Sequence, residues 1–251
     1  MDLIQALAAE LGKDPRHVEN VVHLLDEGNT IPFIARYRKE LHGAMDDTSL
    51  RTLEERLQYL RGLEERREAV KKSIDEQGKL TDELTAAIDS AKTLAEVEDL
   101  YRPYKQKRRT RATMAKEKGL EPLAALLFAQ ERDCPRPEEA ARAFVDPEKG
   151  VETIEDALQG ASDIIAEQIS DDAAIRKSLR ALISRQGQLV SRAATEDDSV
   201  YRLYYDFTQS VARLQGHQVL AINRGEKEGI LKISITLDRE QALPLLRRAV
   251  V

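Results

Sequence analysis

Leu50, Leu53, Leu57, Leu60 and Leu63 recur in steps of three and four, and Val70 and Ile74 resume the same register. Steps of that size put every member on one side of an α-helix and on no face of a strand. Asp46 and Asp47 supply N-terminal caps after Gly43, and the helix need not stop before Gly78. The spacing therefore predicts one helix of about 30 residues, a rod of roughly 45 Å. Such a stripe left in water forfeits about 1.5 to 3 kcal/mol per side chain, so other helices must cover it. Between the two parts of the stripe, Glu64-Glu65-Arg66-Arg67 reads as a charged turn on a solvated face, and ion pairs along the rod need no functional explanation.

Composition points the same way. Charged residues make up 33% of the 251 and aromatic residues only 4%. That balance belongs to long exposed helices and excludes a sandwich or a doubly wound sheet. The predicted fold class is mostly α: an elongated multi-helix scaffold with an N-terminal helix-turn-helix-like module, one long helix and a short β element near the C-terminus. A net charge of -6 argues against nucleic-acid binding over the whole surface, so any such contact must be local. Met1-Asp2-Leu3-Ile4 shows no basic leader and no long apolar run, which predicts a cytoplasmic protein without membrane contact.

Catalytic chemistry finds little support. Cys134 is alone, which rules out a disulfide or a thiol metal cluster within one chain. His17, His23, His42 and His217 lack the one-turn spacing of a helical metal pair and read as surface or packing residues. The Asp pairs at 46/47, 171/172 and 197/198 read as caps or loop residues. Gly225 reads as a helix terminator, the alternative being a backbone anion nest. No phosphate loop is present, and no serine stands with an evident base. The chain is expected to be no enzyme and to need no cofactor or metal.

In chain order, Leu3, Ile4, Leu7, Ala8 and Leu11 predict a short helix ended by Gly12. Asp14-Pro15 opens a second, with Val18, Val21, Val22 and Leu25 buried and Gly28 closing it. Thr30 caps a third, in which Ile31, Phe33, Ile34 and Tyr37 pack while Arg36, Arg38 and Lys39 face outward. This cationic end either touches nucleic acid or pairs with carboxylates of the long helix. Thr81-Asp82-Glu83 starts a helix that folds back on the rod, and Thr93 caps the next. Further on, Gly119 ends a short helix and Pro122 opens another with Leu123, Leu126, Leu127 and Phe128. Asp133-Cys134-Pro135-Arg136-Pro137 marks a boundary. Helices over Ile154 to Ile169 and Ile175 to Ile183 read as an antiparallel hairpin, and Tyr201, Tyr204, Tyr205 and Phe207 as packing for its end. Ile230 to Leu237 alternates as a strand that either pairs with the extended 188–194 segment or waits for a sheet this chain lacks. The expected domains are 1–44, a helix-turn-helix-like module; 45–132, the long helix, its fold-back helices and a basic tract; and 133–251, the hairpin region ending in a short strand.

That tract, Leu100-Tyr101-Arg102-Pro103-Tyr104-Lys105-Gln106-Lys107-Arg108-Arg109-Thr110-Arg111, sets cations between two tyrosines and a proline. Pro103 interrupts the helix built by Leu94, Val97 and Leu100, which predicts a helix exit and then an exposed segment. Exposed cations beside rings suit phosphates and bases. The bland reading is a solvated hinge whose arginines pair with nearby acidic helices.

Three stretches carry a family resemblance. The segment from Asp99 through the tract to Ala124, the segment Gly28-Asn-Thr-Ile-Pro-Phe-Ile-Ala-Arg-Tyr-Arg-Lys-Glu40, and Tyr204-Tyr-Asp-Phe207 with Leu220-Ala-Ile-Asn-Arg-Gly-Glu-Lys-Glu228 resemble, in order, parts of the N-terminal region of the Tex-like transcription accessory family. The resemblance implies a helical scaffold associated with transcription and RNA binding. It also implies that an RNase-H-like domain, a helix-hairpin-helix module and an oligonucleotide-binding-fold domain follow this region in the family. With the sequence stopping at Val251, weak nucleic-acid binding is expected of this piece. The candidate nucleic-acid-binding residues are Arg102, Lys105, Lys107, Arg108, Arg109 and Arg111, with Arg36, Arg38 and Lys39 as a second contact; the partner is RNA or DNA. The alternative is a scaffold that docks proteins of the transcription machinery or positions later domains and binds no nucleic acid itself.

Overall fold

The computed structural model describes residues 3–106, 108–195 and 198–251. The chain folds as two compact units, one ending at Tyr104 and one beginning at Lys105. Helices dominate both, and a small antiparallel sheet lies in the second. No helix among the described residues is long and apolar enough to cross a membrane.

The first unit is built on the leucine stripe. Helix α1 (Leu3–Leu11), α2 (Pro15–Asp26) and α3 (Ile31–Tyr37) precede the long helix α4 (Asp47–Asp75), and α5 (Asp82–Ser90) and α6 (Leu94–Tyr101) follow it. At 29 residues, α4 is about 44 Å long. The Asp46 carboxylate caps it by accepting from the Ser49 N–H at 2.8 Å. Thr81 and Thr93 cap α5 and α6 in the same way. Leu50, Leu53, Leu57, Leu60, Leu63, Val70 and Ile74 are all buried, covered by Leu7 of α1, Val18 and Val21 of α2, Ile34 of α3, Ile88 of α5 and Val97 of α6. Every helix of the unit therefore takes α4 as its partner or packs beside one that does.

Arg67 corrects the sequence expectation of a charged turn at 64–67. It lies in the buried stripe between Leu63 and Val70 and is only 3% exposed. Its Nη2 donates to the carbonyl of Ala91 at the end of α5, and Nη1 pairs with Glu64 at 2.7 Å. A helix-end carbonyl that would otherwise be orphaned is satisfied from the facing helix. The helical spacing of the buried face thus continues through this position, with a guanidinium on the stripe between Leu63 and Val70.

In the second unit, α7 (Arg111–Glu117), α8 (Glu121–Ala129) and α9 (Pro137–Ala141) pack on α10 (Ile154–Asp171). The contact is made largely by alanines, Ala112, Ala115, Ala124, Ala141, Ala157 and Ala161, with Leu120, Leu123 and Ile164 filling between them. Thr153 and Asp156 form a capping box at the start of α10. Only Asp172, which caps the next helix, separates α10 from α11 (Ala173–Gln186). One residue is shorter than the loop of a helical hairpin. The partners of α11 are accordingly the turn Val211–Arg213 and the last helix, rather than α10 along its length.

The sheet has the order β2-β1-β3, from β1 (Gln188–Ala193), β2 (Asp206–Ser210) and β3 (Leu231–Thr236), with both pairings antiparallel. Leu189 faces Gln209 on one side and Ile235 on the other. The 231–236 strand therefore needs no absent sheet. The chain does not end on it either, because α13 (Arg239–Val250) follows, capped by Asp238. Helix α12 (Gly216–Lys227) crosses to β3, and Gly225 sits inside it rather than ending it. A Cβ at Gly225 would lie 2.6 Å from Leu231 Cδ1 and 3.2 Å from Tyr201 Cδ1. The glycine is a close-approach point between helix, strand and ring, which replaces the terminator reading. Tyr201 is buried there, and its hydroxyl is driven above the ordinary tyrosine range by desolvation and then by Glu228.

Candidate nucleic-acid interface

Helix α3 has seven residues, and Ile31 and Ile34 hold it against α4. The residues between and after them form its outer side. Phe33 is half-buried, whereas Tyr37, expected in the core, is 56% exposed. At a spacing of four the two rings meet, with centroids 5.3 Å apart and a tilt of 47°. Arg36 and Arg38 lie over these rings, Arg38 Cζ 5.3 Å from the Phe33 centroid and Arg36 Cζ 6.0 Å from that of Tyr37. Neither arginine, nor Lys39, reaches a carboxylate within ion-pair distance among the described residues. Pairing with carboxylates of α4 was the alternative, and the structure does not show it. Carboxylates of the unit pair with other arginines instead: Asp47 of α4 holds Arg51 at 2.7 Å, and Asp26 of α2 holds Arg61 at 2.7 Å.

The turn after α3 is fixed. Gly43 and Ala44 adopt left-handed conformations, φ 58° and 56°. A Cβ at Gly43 would lie 2.2 Å from Nδ1 of His17, so the imidazole packs directly on the glycine backbone. Asn20 Nδ2 donates to the Leu41 carbonyl at 3.1 Å, and His42 is buried. Helix α2 thereby clamps the segment that carries Arg38 and Lys39.

The basic tract runs across the junction of the two units. Helix α6 ends at Tyr101, Arg102–Tyr104 form one 3-10 turn around Pro103, and the Thr110 hydroxyl caps α7 by accepting from the Thr113 N–H. Arg102, Lys105, Arg108, Arg109 and Arg111 are all exposed, and Lys107 lies outside the described residues. Their charges are not equally available. Arg109 pairs with Glu117 at 2.7 Å and Arg111 with Asp163 at 3.7 Å, while Lys105 and Arg108 have no ion-pair partner among the described residues. The tyrosines of the tract belong to packing in the first unit. Tyr101 exchanges a hydrogen bond with Ser73 at 2.9 Å and carries Arg66 over its ring at 5.3 Å, and Tyr104 packs against the core. Arg66 is itself held by Glu98 at 2.6 Å, which raises its pKa.

The structure thus presents two cationic segments, 36–39 in the first unit and 105–111 in the second. Rings accompany only the first. The signal for the Phe33–Tyr37 pair was present in the sequence as Phe33-Ile-Ala-Arg36-Tyr37-Arg38, two rings one helical turn apart with arginines interleaved. Reading both rings as core hid it.

Comparison with known proteins places the chain. Residues 1–75 match the Tex-like protein N-terminal domain, and residues 133–249 match the Tex central region-like family. The chain is 46% identical over 253 residues to the uncharacterized protein YdcI of Bacillus subtilis, covering 99% of this chain and 35% of that protein. It is 42% identical over 240 residues to the transcriptional accessory protein Tex of Neisseria gonorrhoeae, covering 94% and 31%. The human S1 RNA-binding domain-containing protein 1 is 30% identical over 247 residues, 94% of this chain and 24% of that protein. The chain spans about a third of the length of the bacterial relatives it matches. It belongs to the Tex-like family, of which it carries the N-terminal and central regions.

Proposed function

We propose that this chain contributes a nucleic-acid contact surface, for RNA or single-stranded DNA, to a transcription accessory factor acting in the cytoplasm. The observation that carries the reading is a set of cations without carboxylate partners among the described residues: exposed Arg36 and Lys39 with half-buried Arg38 at the end of α3, and exposed Lys105 and Arg108 in the tract. Cations already neutralised by carboxylates release few counterions from a phosphate backbone, whereas unpaired ones release them fully. The names of the Neisseria and human relatives, one a transcriptional accessory protein and one containing an S1 RNA-binding domain, support the same assignment. In this reading the order α2, a glycine-containing turn and α3 serves as a helix-turn-helix-like module that displays the 36–39 cations. The chain carries out no catalysis of its own.

Fluorescence anisotropy with labelled single-stranded RNA, single-stranded DNA and duplex DNA tests the proposal. Wild-type protein is expected to bind. A variant with Lys105, Lys107, Arg108, Arg109 and Arg111 changed to Gln should bind at least about tenfold more weakly, and adding Arg36→Gln, Arg38→Gln and Lys39→Gln should weaken it further. A second reading has its own observation. Val200, Leu203 and Leu220 in the second unit are 88%, 84% and 73% exposed, as suits a scaffold that docks a protein or a later domain. Wild-type protein that binds no nucleic acid even at low salt would leave that scaffold reading in place of the first.

A further inference from the structure

We infer that the Phe33–Tyr37 pair at the end of α3 is a stacking site for an unpaired base, which makes the nucleic acid taken up there single-stranded. The inference rests on the nucleic-acid reading above and goes beyond it in naming the part of the ligand recognised. Tyr37 leaves 56% of its surface in water, and its hydroxyl has no hydrogen-bond partner among the described residues. A tyrosine whose only task was packing would bury its ring against the α4 stripe, as Tyr101 does within the first unit. Instead it stands beside Phe33 at 5.3 Å, with two guanidinium groups over the pair. Those cations are not consumed by carboxylates, so phosphate can approach them while a base meets the exposed ring.

The chemistry selects among ligands. An acidic peptide would use the charges and leave the ring faces empty. Duplex nucleic acid keeps its base faces stacked on one another and offers phosphates and groove edges but no free base face. A single strand supplies both a free π-face and an adjacent phosphate within one nucleotide. The site is also prepared in advance: Asn20 and the His17 ring clamp the turn that follows, so binding orders little backbone.

The test uses the whole chain and three probes of about twelve nucleotides, a length within known single-strand site sizes: oligothymidine, an abasic strand with the same phosphates, and a duplex. Stacking predicts that wild type binds the base-bearing strand about tenfold more tightly than the abasic one. Tyr37→Leu, at an exposed position, should remove most of that difference without changing affinity for the abasic strand or the slope with salt. Phe33→Leu, which keeps an aliphatic group in the half-buried position, should act in the same direction, and thermal melting checks that both variants stay folded. Equal binding of base-bearing and abasic strands by wild type overturns the inference while leaving the nucleic-acid reading intact. So does a Tyr37→Leu loss that is the same on both strands. Failure to bind any of the three overturns the inference, and it overturns the nucleic-acid reading as well when single-stranded RNA is also left unbound.

Discussion

Arg67 shows how one side chain can look solvated in sequence and be structural in the fold. Its neighbours Glu64, Glu65 and Arg66 are charged, yet its own position falls on the buried face because 63, 67, 70 and 74 share a side of the helix. Removing the side chain opens a void beneath α5 and leaves the Ala91 carbonyl without its donor. Arg67→Ala should therefore cost about 2 to 4 kcal/mol in denaturant unfolding, far above the near-zero effect expected for Arg51→Ala on the exposed side. A loss below about 0.5 kcal/mol would contradict this role. The four-residue step from Leu63 puts position 67 on the stripe, whereas a cationic residue type among Glu64, Glu65 and Arg66 points to solvent. Tyr37 is the converse case: its type argued for the core, and its place at the end of a seven-residue helix puts it in water.

At the scale of elements, α4 and its caps were legible because the information is local. Asp46, Thr81, Thr93 and Asp172 each satisfy the first turn of the helix they precede, and a leucine stripe needs no distant partner to be recognised. The sheet was legible only in part. Strand β3 alternates, but β2, Asp-Phe-Thr-Gln-Ser, does not, and it is a strand because β1 offers it an edge. Helix α13 was obscured by Pro244 within it, which argues against a helix on local grounds.

The short helices are also tied to the long one by charge. Glu10 of α1 holds Arg56 at 2.7 Å, and Asp26 of α2 holds Arg61 at 2.7 Å. Hydrogen bonds from those arginines pull the carboxyl pKa values below their ordinary 4.5 and 3.8. A carboxyl group with a depressed folded-state pKa stabilises the fold above its unfolded value, and the contribution is lost as pH falls through the folded-state value. The melting temperature should thus be flat from neutrality to about pH 5 and decline below about pH 4. Each pair is half-exposed and contributes less than about 1 kcal/mol, so Arg56→Gln should flatten the acid limb only slightly. A melting temperature that rises on acidification below pH 4 would be the opposite sign.

For the molecule as a whole, net charge and function are reconciled by segregation. The chain carries -6 overall, yet Arg36 and Lys39 in the first unit and Lys105, Arg108, Arg109 and Arg111 in the second stand exposed in short cationic stretches. Elsewhere on the surface, pairs such as Arg56 with Glu10 and Lys71 with Asp89 join cations to carboxylates of neighbouring helices. A protein built this way should bind polyanions through a few local contacts. The most direct measurement is the salt dependence of wild-type affinity for a single strand. The account predicts a slope of log K against log salt of about -2 to -4, the signature of roughly three to five single-strand phosphate contacts. A slope near zero, or no binding at the lowest salt, would contradict it.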